Sequence, residues 1–129
     1  MEPTDRRYTR EHEWIRPDGE EAVVGITDYA QNQLGDVVFV ELPAVGRRLA
    51  KGEAFGVVES VKSVADLYAP VAGTVVAVNE ALAAAPEEVN HSPYDEGWMI
   101  RLRPEDAAQI EALMDGAAYD AHVAAEGGA

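Results

Sequence analysis

Apolar and polar residues alternate along this chain in short runs, and turn-forming residues separate the runs. This pattern is typical of β-strands joined by tight turns rather than of long helices. Pro17-Asp18-Gly19 is a strong turn signal, and it predicts a hairpin from Glu13 to Thr27. Further strands are predicted at Asp36 to Leu42, Ala54 to Glu59, Val64 to Tyr68, Thr74 to Asn79 and Trp98 to Leu102.

Short helical segments interrupt these strands. Asp28 and Gln31 have the spacing of a capping box, and Gly35 suits the end of the helix that they predict. The pattern also predicts an irregular helix at 80–89, a loop at 90–97, a helix that starts at Pro104 and stops near Gly116, and a last short helix through Tyr119 and Val123. We expect a single mainly β domain over residues 1–129, with frayed tails at 1–7 and 126–129.

Composition narrows the classes of function. Acidic residues outnumber basic ones 24 to 10, and the net charge of −14 argues against nucleic acid as a partner. The absence of cysteine excludes disulfides and thiolate ligands, and His12, His91 and His122 lack metal-ligand spacing, so no metal site is expected. No apolar run approaches the roughly 20 residues of a membrane helix, and the first residues have no apolar signal core. We expect a cytoplasmic protein with no membrane partner.

Lys62 is the candidate functional residue. Apolar, strand-like residues lie on both sides of it, and small or polar residues occupy the point where the chain is predicted to reverse. This arrangement presents a primary amine at the tip of a tight turn on a stiff support. A modifying enzyme can acylate such an amine, and the lysine then carries a chemical group on a long tether. The residues alone also fit an ordinary solvated lysine.

Five stretches of the chain together resemble the H-protein family of the glycine cleavage system. They are Tyr8 to Trp14, Val24 to Ala30, Gly35 to Pro43, Gly52 to Gly73 and Val89 to Trp98, and they extend over nearly the whole chain. The resemblance implies a barrel-sandwich hybrid of the lipoyl-domain type, with two small antiparallel sheets, short helices and a C-terminal helical segment. It also implies that Lys62 carries lipoic acid in amide linkage at a hairpin tip.

The function that the resemblance implies is that of a carrier and not of an enzyme. A carrier of this family takes the aminomethyl group of glycine from glycine dehydrogenase (the P protein) to aminomethyltransferase (the T protein). It then passes reducing equivalents to dihydrolipoyl dehydrogenase (the L protein). A lipoate ligase or an octanoyl transferase is the implied modifying enzyme, and a bacterial cytoplasm is the expected setting.

Further site residues follow from the family by position. Glu59, Ser60 and Val61 precede the modified lysine and are expected to be read by the ligase, although an ion pair within the hairpin explains Glu59 equally well. Glu13 and Asp66 match acidic positions that line the resting cleft of the arm. An acidic and partly dry cleft favours a protonated amine. We therefore expect Glu13 and Asp66 to hold the ammonium group of the cargo and to slow its loss.

Four residues depart from the family pattern without touching the acceptor motif. Ser92 stands where an acidic residue is frequent and Asp95 where glycine is frequent, which leaves the form of that loop open. Arg47 and Arg48 add a basic pair to a turn that need not be basic.

Other classes of protein stay open at this point. A biotinyl carrier shares the architecture, but its lysine is typically flanked by methionines, whereas Val61 and Ser63 flank Lys62 here. A lipoyl domain of a 2-oxo-acid dehydrogenase usually has Asp before the lysine and belongs to a longer chain. A Schiff-base enzyme needs a desolvated amine, which a hairpin tip does not provide. A lipoyl relay that supplies other enzymes and an unmodified scaffold protein remain as alternatives.

Overall fold

The chain folds into short strands with a few short helices between and after them, and the computed structural model describes residues 3–128. The strands are β1 (Arg7–Tyr8), β2 (Glu13–Asp18), β3 (Glu21–Ile26), β4 (Val37–Glu41), β5 (Arg48–Leu49), β6 (Ala54–Ser60), β7 (Val64–Tyr68), β8 (Gly73–Val78) and β9 (Ile100–Pro104). The helices are α1 (Asp28–Leu34), α2 (Ala81–Ala84), α3 (Glu88–His91), α4 (Ala108–Glu111) and α5 (Gly116–Val123), and a π-helical turn, Ala124–Gly128, follows α5.

The strands form two antiparallel sheets. One sheet has the order β1-β2-β3-β9-β8-β5, and the other has the order β4-β6-β7. The prediction of a mainly β fold with two antiparallel sheets is confirmed. The three-stranded sheet matters most for function, because its β6–β7 hairpin carries Lys62 at the reversal.

One apolar cluster joins the inner faces of both sheets. Val58 and Leu67 of the three-stranded sheet are buried together with Val24 and Leu102 of the other sheet. Alternation along β6 explains this placement, since neighbouring side chains point to opposite faces of a strand. A second cluster, of Tyr8, Trp14, Val23 and Tyr119, packs α5 against the six-stranded sheet.

The helices differ from the prediction in their ends. Thr27, rather than Asp28, caps α1, because its side chain accepts a hydrogen bond from the backbone N–H of Ala30. The single helix expected at 80–89 is two short helices, separated at Pro86, whose ring disfavours a helical conformation in the residue before it. No helix within residues 3–128 has the length and apolar character to cross a membrane.

The C-terminal part requires two corrections. Pro104 ends strand β9, paired with Gly73, and does not open a helix. Gly116 does not stop a helix but begins α5, because the Asp115 side chain caps that helix by accepting from the N–H of Ala118 at 2.9 Å. The helix expected from Pro104 to near Gly116 is therefore limited to the short α4, and Met114 forms a bridge to β1 instead.

Several residues of the expected tails, 1–7 and 126–129, make contacts with the domain, and the fraying of these tails stays a prediction. Arg6 is buried, with its guanidinium 4.6 Å from the ring centroid of Trp14, and Arg7 pairs with Ile15 in β1. Glu126 contacts two histidine side chains. The expected tail residues Met1, Glu2 and Ala129 lie outside the described residues.

Candidate carrier site

The tip of the β6–β7 hairpin is closed by a serine side chain. The N–H of Ser60 donates to the carbonyl of Ser63 at 2.8 Å, and the N–H of Ser63 donates to the Ser60 hydroxyl oxygen at 3.0 Å. The hydroxyl in turn donates to the Ser63 carbonyl at 3.2 Å. Ser60 is buried. Because its side chain replaces a backbone partner across the turn, Ser60 determines the shape of the tip, in addition to the predicted role in ligase recognition.

The tip also rests on the residues that follow α1. The N–H of Val61 donates to the carbonyl of Asp36 at 3.0 Å. Gly35 ends α1 with φ of 80° and ψ of −159°, a conformation that only glycine adopts readily. A Cβ atom added at Gly35 would lie 3.4 Å from Cε of Lys62. The stem of Lys62 therefore lies close to the end of α1, and its support comes from two parts of the fold.

The amine of Lys62 is accessible and unengaged. Its side chain is exposed, and it makes no hydrogen bond or ion pair with any residue of the range 3–128. Acylation converts a charged ammonium into a neutral amide, so it breaks every ion pair that the lysine makes. At Lys62 there is no such pair to lose within residues 3–128.

The outer face of the three-stranded sheet surrounds the tip with apolar and acidic side chains. Cross-strand pairing aligns Phe39, Glu59 and Val64 in one row next to the tip. Phe39 and Val64 are 48% and 66% exposed, and Val61 at the tip is 76% exposed, which is unusual for large apolar residues. Within the described chain Glu59 makes no salt bridge, so the ion-pair explanation for this residue is wrong.

Glu13 lines a cavity of about 320 Å³ at the far end of β7. Its carboxylate is almost fully buried and accepts hydrogen bonds from the Thr9 hydroxyl at 2.5 Å and from the N–H of Tyr68 at 3.2 Å. Since Glu13 belongs to β2 and Tyr68 to β7, the carboxylate connects the two sheets. The residue pattern predicted neither hydrogen-bond partner of Glu13, because the backbone donor of Tyr68 leaves no trace in a sequence and the contact with Thr9 depends on how the turn folds.

Burial controls the ionisation of Glu13. It raises the pKa of the carboxyl from the ordinary 4.5 to about 7, and the hydrogen bonds from Thr9 and Tyr68 only partly oppose this rise. The carboxyl is therefore divided between its two protonation states near neutral pH. A cation brought into the cavity would favour the charged state, because it supplies the counter-charge that burial removes.

The other charges of the cavity are mixed rather than uniformly acidic. Arg10, Glu11 and Lys51 line it together with Glu13. Asp66 is exposed and is not among the residues that line the cavity. It lies on β7, two residues before Tyr68 and hence on the same face of the strand, between the hairpin tip and the cavity. The structure thus separates Glu13 from Asp66 instead of placing both in one pocket.

The residues that depart from the family pattern have structural contacts. Arg47 pairs with Glu53 at 2.8 Å, and Arg48 pairs with Glu105 at 2.6 Å. Ser92 shapes its loop by accepting hydrogen bonds at its carbonyl from the N–H groups of Asp95 and Gly97. None of these contacts reaches the hairpin tip.

Two antiparallel sheets with an exposed lysine at a hairpin tip closed by hydrogen bonds are the construction of a carrier domain whose lysine presents a tethered group. The model of a family described as glycine cleavage H-protein matches residues 6–126. The glycine cleavage system H protein of Anaeromyxobacter sp. strain K is 61% identical over 121 residues, which is 94% of each chain. That of Geobacillus kaustophilus is 56% identical over 94% of this chain and 95% of its own length.

A solved structure agrees with these sequence comparisons. The crystal structure of a glycine cleavage system H protein from Mycobacterium marinum matches with a TM-score of 0.85 and 39% identity, covering 98% of this chain and 99% of the other. The chain belongs to the glycine cleavage H-protein family. It is accordingly a lipoyl carrier of the glycine cleavage system and not an enzyme.

Proposed function

We propose that Lys62 is the residue to which lipoic acid is attached, through an amide between its Nζ atom and the lipoyl carboxyl. The observation that carries this proposal is the exposed amine of Lys62, which has no partner within residues 3–128 and stands on a hairpin tip closed by Ser60. The bound group would supply a disulfide that accepts the aminomethyl unit and electrons, chemistry that the side chains of this cysteine-free chain lack.

The outer face of β7 offers a path for the arm from the tip to the cavity. Val64, Asp66 and Tyr68 alternate onto this face, and Tyr68 lines the cavity of Glu13. Four residues of strand span about 13 Å. A lysine bearing a lipoyl chain has roughly ten single bonds and reaches on the order of 10–15 Å. The two lengths agree, which supports a resting position for the arm along β7.

In that position Glu13 receives the ammonium group of the cargo, and Asp66 contacts the arm on its way. The buried Glu13 carboxylate offers a charge in a site with little water, where an ion pair is stronger than at the surface. Thr9 and Tyr68 hold the carboxylate in place through their hydrogen bonds. The part that this chain contributes is therefore protection and presentation of the cargo.

The partners follow from the same role. We infer that the P, T and L proteins of the glycine cleavage system act on the arm in turn, and that a lipoate ligase or an octanoyl transferase installs it. The exposed Val61, and the carboxylate of Glu59, which makes no ion pair within residues 3–128, suit recognition by such a modifying enzyme. The bacterial relatives support a bacterial cytoplasm as the setting.

Intact-mass measurement after co-expression with a lipoate ligase and lipoate tests the attachment site. The chain has only two lysines, Lys51 and Lys62, so the experiment has a matched control. We expect one lipoyl increment on the wild type and on Lys51→Arg, and none on Lys62→Arg. An increment that persists in Lys62→Arg, a biotin increment, or an unmodified wild type would contradict the proposal.

Glycine-dependent NADH formation with purified P, T and L proteins then tests the pathway. The lipoylated wild type should support turnover, and Lys62→Arg should reduce it to the level without carrier. A fully lipoylated wild type that supports no turnover, but donates lipoate to another acceptor protein, would instead identify a lipoyl relay.

A further inference from the structure

Three side chains that are remote in sequence converge at the C-terminal end of the molecule. His12 lies in the turn before β2, His122 lies in the last turn of α5, and Glu126 lies in the π-helical turn that follows. Nε2 of His12 is 3.1 Å from Oε1 of Glu126, and Nε2 of His122 is 2.7 Å from Oε2 of the same carboxylate. One candidate ligand atom from each residue lies within 4.8 Å of the other two.

The three side chains form a ligand set of defined chemistry. Two imidazoles and one carboxylate are the protein ligands of zinc sites that keep a fourth position for water. Nitrogen ligands of this kind favour zinc and neighbouring transition metals over magnesium or calcium, which prefer oxygen. The side chains of His12 and His122 are only 16% and 15% exposed, so both rings are held in place by packing.

His12 also has the outer hydrogen bond that metal-binding histidines usually have. Its Nδ1 is 2.7 Å from the hydroxyl of Tyr119, and that hydroxyl is 2.7 Å from the hydroxyl of Thr27. Hydroxyl groups both donate and accept, so this chain can run in either direction. It can therefore place the proton of His12 on Nδ1 and leave the lone pair of Nε2 free for a metal. Such outer contacts orient the ring and strengthen the ligand.

The backbone adds two observations at the same place. His12 has φ of 72°, and it is the one non-glycine residue with positive φ within the described chain. This left-handed conformation directs its ring toward α5 while the adjacent Glu13 enters the cavity. The carbonyl oxygen of Arg10 lies 3.2 Å from Nε2 of His122 and offers a further oxygen at the site.

We propose that His12, His122 and Glu126 bind one divalent transition metal ion, with Zn²⁺ as the expected ion. The metal joins the turn before β2 to the C-terminal helix and the turn after it. The simpler alternative is a set of hydrogen bonds between two imidazoles and a carboxylate without a metal. The two arrangements differ in what lies between the nitrogen and oxygen atoms, a proton in the hydrogen bonds and the ion in the metal site, so a direct binding measurement decides between them.

The test is calorimetric titration of the untagged, EDTA-treated full chain with ZnCl₂, together with thermal unfolding in the same solutions. We expect one Zn²⁺ per chain and a rise in Tm on binding, because the ion binds only the folded arrangement. Glu126→Gln and His122→Asn should each weaken binding at least about tenfold, and Tyr119→Phe should weaken it by about 10–100-fold through the outer contact.

His91→Asn is the matched control. His91 is the remaining histidine of the chain, and it is exposed and 3.6 Å from Glu88. This variant should bind Zn²⁺ like the wild type. Visible absorption of the Co²⁺-loaded chain should show the intense bands of a tetrahedral site, and these bands should vanish in His122→Asn. Absent binding in the wild type, or binding in His122→Asn and in Glu126→Gln that is as tight as in the wild type, would overturn the proposal.

Discussion

Glu13 shows how strongly the fold changes the chemistry of a single residue. Glu13 is 2% exposed, and burial raises the pKa of its carboxyl to about 7, whereas most of the 24 acidic residues of the chain face solvent. The same carboxylate connects the two sheets through Tyr68. It therefore combines a structural contact with a charge that is available near neutral pH.

The free energy of unfolding should depend on pH through the Glu13 carboxyl. Below pH 4.5 the carboxyl is protonated in both the folded and the unfolded chain, and well above pH 7 it is ionised in both. Between these values the folded state binds more protons, so the free energy of unfolding falls as the pH rises. The raised pKa corresponds to about 3 kcal/mol across this window. Urea unfolding of the wild type and of Glu13→Gln from pH 4.5 to 8 measures this loss of stability.

Glu13→Gln should gain stability relative to the wild type as the pH rises through this window. The amide can accept from Tyr68 and donate to Thr9, so the variant keeps both hydrogen bonds. Glu20→Gln, an exposed change in the β2–β3 turn, should show no such trend. A stability difference between Glu13→Gln and wild type that is constant with pH would contradict the raised pKa.

At the scale of elements, the β6–β7 hairpin depends on its own turn residues. Ser60 closes the tip with its side chain, whereas Ser63 contributes its backbone N–H and carbonyl. A hairpin tip of defined shape allows a modifying enzyme to distinguish one lysine from another. The closed shape of the tip would therefore be part of the acceptor site that we propose.

Ser60→Ala and Ser63→Ala form a matched pair for this element. Ser60→Ala should destabilise the chain by about 1 kcal/mol and slow the initial rate of lipoylation, because the N–H of Ser63 loses its partner. Ser63→Ala keeps its backbone contacts and should leave the stability and the initial rate of lipoylation nearly unchanged. Urea unfolding and timed intact-mass measurements with a purified ligase provide the two values. Equal rates for the two variants would show that the Ser60 hydroxyl does not shape the tip.

At the scale of the whole molecule, the two sheets bring the hairpin tip and the Glu13 cavity to opposite ends of one strand face. β7 connects them, with Asp66 between the tip and the cavity. The arm proposed for Lys62 has the length to span this face. The protection that we propose for the cargo would thus depend on both assembled sheets and not on one motif.

The corresponding prediction concerns loss of the aminomethyl cargo from the loaded chain, measured as ammonia release in the absence of the T protein. Glu13→Gln should release ammonia several-fold faster than the wild type, and the double variant with Asp66→Asn at least as fast. Asp66→Asn alone should have the smaller effect, because Asp66 does not line the cavity. Asp120→Asn, an exposed change on α5, is the control. A double variant that releases ammonia at the wild-type rate would refute the role of the cavity.

Much of this protein was predictable from local patterns. Alternation and turn residues predicted the β2–β3 and β6–β7 hairpins, with Lys62 at a reversal, because these features depend on neighbours in the chain. The helix boundaries after Pro104 were wrong, because cross-strand pairing with β8 and the cap at Asp115 outweigh local helix propensity there. The ordered stretches of the sequence also indicated the family.

Only the tertiary structure decided the properties that depend on distance and burial. The pKa of Glu13 follows from packing between two sheets, and the separation of Asp66 from its cavity follows from the face of β7. His12 contacts Glu126 and lies near His122, although more than a hundred residues of sequence separate it from both. The spacing of these residues along the chain therefore did not predict the cluster. Desolvation and ligand geometry act through space, and the folded sheets are what bring these groups together.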